Sequence, residues 1–270
     1  MPKRRGPHGT DPSAHAHASH PAPVRVLETL EVRNRQAVEQ QASYVEFVTQ
    51  LLHDEVERRA QSKLRLRLRR AAFDPTKTLE SFDFGFNTKL NKAQIFDLAT
   101  CQFIERHENV LIYGPTGVGK SHLGQALAHE ACRRGYEVLF IDTAKMLLHL
   151  AGGRADGSHE QRVARYTRPD LLVLDDFGLK PLRAPGPEDL YDVINERYER
   201  ASIVLTSNRD RAEWPELFGE ALLASAALDR LTHGAHFVEI GGASFRAEAT
   251  KKQTAARRGR STTDAKGVNL

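Results

Sequence analysis

The chain reads as an α/β protein, a parallel sheet covered by helices on both faces and preceded by a small helical module. Three observations predict this. From Leu79 onward, apolar runs at 109–113, 137–142, 171–175, 202–206 and 236–240 alternate with helical stretches, notably 120–134 and 187–200. Such alternation belongs to parallel sheets. The run at 109–113 opens into a glycine-rich loop followed by helical spacing, and residues 25–73 carry a helical period.

In chain order, residues 1–24 are rich in Pro, His, Ala and Gly and lack periodicity, which predicts a disordered tail. His8, His15, His17 and His20 have no carboxylate or Cys companion there, so a floppy tail is the better reading than a metal site. The module at 25–76 places Tyr44, Phe47, Val48, Leu51, Leu52 and Val56 on one helical face. "KLRLRLRR" (63–70) alternates like a strand, yet Leu64 and Leu68 share a helical face among good helix formers, so a basic helix is expected. "DPTKT" (74–78) closes it. A core at 77–248 and a basic disordered tail at 249–270 complete the chain.

The 270 residues carry a net charge of +4, with 40% hydrophobic residues and no apolar run near membrane-spanning length. The first twenty residues lack a signal-like apolar stretch. Cys101 and Cys132 stand too far apart for a zinc or redox pair, so a reducing cytoplasm is expected. Excess positive charge gathers at 57–70 and 251–260. Arg58, Arg59, Lys63, Arg65, Arg67, Arg69 and Arg70 are the candidate contacts to a nucleic-acid backbone. A solvated helix face explains the same charges as well.

The chemistry is concentrated in four motifs. Gly114, Pro115, Thr116, Gly117, Val118, Gly119, Lys120 and Ser121 fill GxxxxGK[ST] without a mismatch. Its glycines let successive N–H groups converge on phosphate oxygens at a helix N-terminus. Lys120 is expected on the β and γ phosphates, and the Ser121 hydroxyl on Mg²⁺. "DLLVLDDFG" (170–178) then brings Asp175, for the Mg²⁺ shell, and Asp176, to orient or deprotonate water. "SIVLTSNRD" (202–210) ends in Thr206, Ser207 and Asn208, all able to bond water or a γ-phosphate, and marks a strand inserted beside the loop-bearing strand. "SNRD" does not supply the Asn-Lys-x-Asp guanine reader of GTPases, and no arginine-rich lid of the kind small-molecule kinases carry is obvious between Asp176 and Asn208, so an ATPase is favoured over either. Lastly, Arg230 sits late in a helix before a strand, placed for a neighbouring subunit's γ-phosphate or for a surface ion pair with Asp229 or Glu220. Arg246, in "ASFR", is a further candidate contact to nucleotide.

Taken in order, "LIYGPTGVGKSHLGQALAHEACRRGY", "LLVLDDFGLKPL", "DLYDVINERYERASIVLTSNR", "EWPELFGEALLASAALDRLTHGAHFVEI" and "SFR" resemble the IstB transposition-helper ATPases. These are AAA+ proteins similar to the helicase loader DnaC, and the likeness covers roughly residues 26–248. The resemblance implies an ATP- and Mg²⁺-dependent regulator that assembles with copies of itself on double-stranded DNA and helps a cognate transposase engage its target. It implies residues 114–122, His122 included, as the phosphate-binding set, Asn208 as the γ-phosphate sensor, Arg230 as the arginine finger and Arg246 as a second sensor. It also places "KTLESFDF" (77–84) near the adenine. Asp176 stands where many AAA+ proteins carry Glu, and residues 1–24 depart from the usual family start. A single-strand-gripping helicase loader and an ATP-gated scaffold that barely hydrolyses are the alternatives.

Overall fold

The computed structural model describes residues 26–87 and 90–245. The two tail readings and Arg246 lie outside the described residues. The chain divides into a unit of residues 1–63 and one of residues 64–270.

In the first unit, α1 (Val26–Glu39) is followed by the start of α2 (Tyr44–Ala71). The break at 40–43 includes Gln41 at φ 51°. It ends in a capping box: Ser43 N–H donates to the Glu46 carboxylate at 2.7 Å, and Glu46 N–H donates to Ser43 Oγ at 3.3 Å. Arg33 pairs bidentately with Asp54, tying α1 to α2. The apolar face expected on α2 divides: Leu51 is buried, whereas Tyr44, Val48, Leu52 and Val56 are exposed.

In the second unit α2 continues as helix to Ala71, as the shared face of Leu64 and Leu68 requires, and both leucines pack on the core. Then come α3 (Lys92–Leu98), α4 (Gln102–Glu105), β1 (Val110–Tyr113), α5 (Lys120–Arg134), β2 (Val138–Asp142), α6 (Thr143–Asp156), α7 (His159–Thr167), β3 (Leu171–Phe177), α8 (Gly186–Arg197), β4 (Ser202–Ser207), α9 (Ala221–Thr232) and β5 (His236–Glu239). All strand pairs are parallel, in the order β2-β3-β4-β1-β5.

Alternate strand residues face opposite layers. Val110, Ile112, Val173, Val204 and Val238 point to the layer holding α3, α4 and α5. Leu111, Leu172, Leu174, Ile203 and Leu205 point to the layer holding α6, α7, α8 and α9. The middle strands β3, β4 and β1 are therefore apolar runs, while the edge strands β2 and β5 are only partly buried. At the start of the sheet, Asn109 pins three elements. Its Oδ1 accepts from Ile203 N–H at 2.8 Å and its Nδ2 donates to Leu231 O at 3.0 Å, while its carbonyl accepts from His236 N–H.

Candidate active site

The cleft forms where β1, β3 and β4 end. β1 stops at Tyr113 and the chain wraps back into α5 through Gly114, at φ 144°, and Gly117, at φ 85°. A Cβ on Gly114 would lie 2.0 Å from the Ile240 carbonyl, and one on Gly117 would lie 2.2 Å from Ser244 Oγ. The loop is also held from outside, since Phe245 N–H donates to Gly117 O at 3.0 Å and Asn87 Nδ2 donates to Val118 O at 2.6 Å. Lys120 is buried, and its Nζ donates to Gly114 O at 2.8 Å and Pro115 O at 2.6 Å. The ammonium is thus held by carbonyls of the loop itself, at the wall of the cleft. His122, one position past the motif, lines the cleft and bonds the lead-in segment on its other wall. Its Nε2 bonds Thr78 O at 3.1 Å and Ser81 Oγ at 3.2 Å, and burial pushes its pKa down.

A β-bulge aims the acidic pair. In the β3–β4 register, Leu174 pairs with Leu205 but Phe177 pairs with Ser207, so Asp175 and Asp176 together oppose Thr206. Asp176 takes the left-handed conformation, φ 53°, that this irregularity demands. The result separates two adjacent carboxylates. Asp175 lies behind the cleft, where Thr206 Oγ1 donates to it and the Ser121 side chain also hydrogen-bonds it. Burial pushes the Asp175 carboxyl above its ordinary range, against those hydroxyls. Asp176 lines the cleft itself, its Oδ1 accepting from Asn208 Nδ2 at 3.3 Å.

The cleft has a volume of about 530 Å³, lined by residues 116–122, Asp176 and Asn208 and, on the other wall, by Lys77, Ser81, Phe82, Phe86, Asn87 and Phe245. A phosphate end and an aromatic end share one cavity, as a nucleoside triphosphate requires. The glycine cradle, the buried ammonium and the Ser121–Asp175 pair fit ATP with Mg²⁺.

The structure brings together Lys120, Ser121, Asp175, Asp176 and Asn208, and sets "KTLESFDF" on the cleft wall. Of the three polar residues expected to face the phosphate from β4, only Asn208 does. Thr206 and Ser207 are fully buried, with their hydroxyls on Asp175 and on Phe177 O at 2.9 Å, because the bulge leaves polar groups in β3 that β4 must satisfy. Arg230 does not line its own cleft. It lies at the opposite end of the strands beside His107 and Asn109, over the rings of Tyr191 (5.4 Å) and Tyr198 (6.0 Å). Phe86, Asn87 and Phe245 were not legible as cleft residues, since a lone aromatic or Asn outside a motif carries no local signal.

The basic residues lie on α2. In the first unit, Arg58 and Arg59 both bond the buried Glu55, whose carboxyl they hold down at about 2, and Lys63 is exposed. In the second unit, Arg65, Arg69 and Arg70 are exposed and Arg67 is half-buried against Gly135. Among the described residues, no helix is long and apolar enough to cross a membrane.

Comparison with known proteins agrees with this geometry. The family model for the IstB-like ATP binding protein matches residues 24–254. An insertion-sequence ATP-binding protein of Mycobacterium tuberculosis is 41% identical over 222 residues, 82% of this chain and 88% of that protein. The insertion sequence IS21 ATP-binding protein of Pseudomonas aeruginosa is 36% identical, covering 80% of this chain and 82% of that protein. Among solved structures, the replication initiator DnaA bound to AMPPCP and single-stranded DNA matches with a TM-score of 0.50 at 25% identity, over 63% of this chain and 51% of that one. DnaI matches with a TM-score of 0.51 at 20% identity, over 65% of this chain and 93% of that one. The five-stranded parallel sheet, the loop around Lys120 and these similarities together make the chain a member of the IstB-like ATP-binding protein family, with the P-loop AAA+ fold.

Proposed function

We propose that this chain is a Mg²⁺-dependent ATPase of the cytoplasm that assembles with copies of itself on duplex DNA and helps a transposase engage target DNA. The observation that carries the reading is the meeting of Lys120, Asp176 and Asn208 at one cleft. A site used only for binding gains nothing from a second carboxylate steered to the cleft by a backbone irregularity. Similarity to insertion-sequence proteins supplies the transposition context, and the exposed arginines of α2 supply a surface for phosphates.

Bound ATP with Mg²⁺ would supply a polarised γ-phosphoryl group for attack by water. The residues of the chain do the rest. Lys120 exchanges the carbonyls of Gly114 and Pro115 for phosphate oxygens. The Ser121 hydroxyl and the Asp175 carboxylate would hold the metal's shell, and Thr206 keeps Asp175 in place. Asp176 accepts the water's proton, and the Asn208 amide fixes the carboxylate that does so. Arg230, at the far end of its own strands, serves the site of the next subunit, so hydrolysis depends on assembly.

Steady-state ATP hydrolysis over a salt series, with long duplex or single-stranded DNA, tests the proposal. Stimulation chiefly by duplex, fading as salt rises, is expected. A response chiefly to single strands would convert the reading to a helicase loader. An Asp176→Asn variant that kept full function while Lys120→Ala lost it would leave an ATP-gated scaffold.

A further inference from the structure

Away from the nucleotide cleft, α6, α7 and α8 enclose a second cluster of chemistry-bearing groups. His159 opens α7, and Asp189 and Asp192 stand one turn apart on α8. One ligand atom from each lies within 4.8 Å of the others. We propose that His159, Asp189 and Asp192 bind one divalent transition-metal ion, of the class of Zn²⁺, Mn²⁺ or Co²⁺, that clamps α7 to α8.

Four observations carry it. First, the Asp189 side chain is fully buried and its Oδ2 has no hydrogen-bond partner, while Oδ1 accepts from Arg154 Nε at 2.9 Å and Nη2 at 2.6 Å. A buried carboxylate oxygen left bare is costly unless a cation or donor meets it. Arg154 fixes the orientation of the carboxylate by one oxygen and leaves the other.

Second, His159 is set as a metal ligand. Its Nδ1 lies 3.3 Å from Leu150 O, and because a carbonyl only accepts, Nδ1 carries the proton. That leaves the Nε2 lone pair facing the cluster, 3.7 Å from Asp189 Oδ1. A backbone carbonyl on the far nitrogen is the common way in which proteins orient a ligating imidazole.

Third, the backbone is shaped to admit His159. A Cβ on Gly153 of α6 would lie 2.9 Å from His159 Cα, so only glycine lets α7 begin this close. Fourth, a groove of about 380 Å³ is lined by His159, Asp192, Asn195 and Glu196, which gives an ion a way in and room for water ligands.

One imidazole with two carboxylates suits Zn²⁺, Mn²⁺ or Co²⁺ better than Mg²⁺, which prefers an all-oxygen shell.

The test is calorimetric titration of the full chain with Zn²⁺, without nucleotide, in a background carrying His8→Ala, His15→Ala, His17→Ala and His20→Ala so that the tail imidazoles do not compete. One saturating equivalent is expected, together with a rise in melting temperature. His159→Ala and Asp192→Asn, both at half-buried positions that tolerate the change, should each weaken binding by roughly tenfold or more. The absence of saturable binding would overturn the proposal. Binding left unchanged by both variants would overturn it as well, by placing the ion elsewhere.

Discussion

Arg197, near the end of α8, is 1% exposed and has no carboxylate bonded to it. Its guanidinium instead donates to the carbonyls of Tyr166 (2.9 Å), Thr167 (3.3 Å), Pro169 (2.9 Å), Asp170 (3.2 Å) and Ser202 (2.6 Å). It therefore gathers the turn from α7 into β3 and the first residue of β4. Consider Arg197→Met, which keeps most of the volume and removes the donors. Three of the bonds are 2.9 Å or shorter. At about 1.5–3 kcal/mol for each charge-assisted bond, their loss costs roughly 5–9 kcal/mol. Against this, burial holds the Arg197 pKa down at about 10, from an ordinary 12.5. At about 1.4 kcal/mol per unit, removing the charge returns about 3 kcal/mol. The net loss is then about 2–6 kcal/mol, and its middle corresponds to a fall in melting temperature of about 10 °C for a unit of this size. Thermal unfolding followed by circular dichroism, with a urea titration for comparison, measures it. ATP affinity of the folded variant should hold at low temperature, because the cleft lies at the other end of the strands. A melting point within about 2 °C of the parent would refute the reasoning and show that the five carbonyls find other donors.

Three further outcomes follow from the site. Gly114→Ala should abolish nucleotide binding, because its methyl meets the Ile240 carbonyl at 2.0 Å; fluorescent-ATP titration reads this, and near-normal affinity would refute the cradle. Asp175→Asn should end hydrolysis yet raise the melting temperature of the nucleotide-free protein, with a gain on the order of 1 kcal/mol. The sign follows from the raised carboxyl: its contribution to stability is full below the ordinary Asp range and is lost as pH rises through the higher folded value. The gain should therefore be larger at pH 8 than at pH 4, and melting curves at the two values would expose a reversed order. Replacing the exposed Arg65, Arg69 and Arg70 by Ala should lower the slope of log affinity for duplex DNA against log salt by about 0.9 for each phosphate no longer neutralised. An unchanged slope would remove this helix from the DNA surface.

Whatever depends on neighbours in the chain could be read from the chain. The loop from Gly114 to Ser121 and the helix after it are a local arrangement, and α5 begins at Lys120 and ends at Arg134 as its period and Gly135 require. The five apolar runs became the five strands, each within a residue or two of its expected ends. The capping box at Ser43 and Glu46 was equally local and marked a helix start that the continuous period of residues 25–73 concealed.

Other features are products of packing between segments far apart in sequence. The place of β4 beside β1 was expected from the polar end of "SIVLTSNRD", whereas the full order β2-β3-β4-β1-β5 is a property of the assembled layers. The bulge that sends Asp175 behind the cleft and Asp176 into it exists only because β3 and β4 pair with a register shift. The retreat of Thr206 and Ser207 from the cleft has the same origin. Neither the bare Asp189 oxygen beside His159 nor the five carbonyls around Arg197 leaves a mark in the sequence, since each is made by helices that meet only in the folded layer. The sequence by itself determined the nucleotide chemistry, because phosphate is gripped by one short stretch of backbone. Tertiary structure decided which polar groups face that phosphate, because their direction is set by strands tens of residues away.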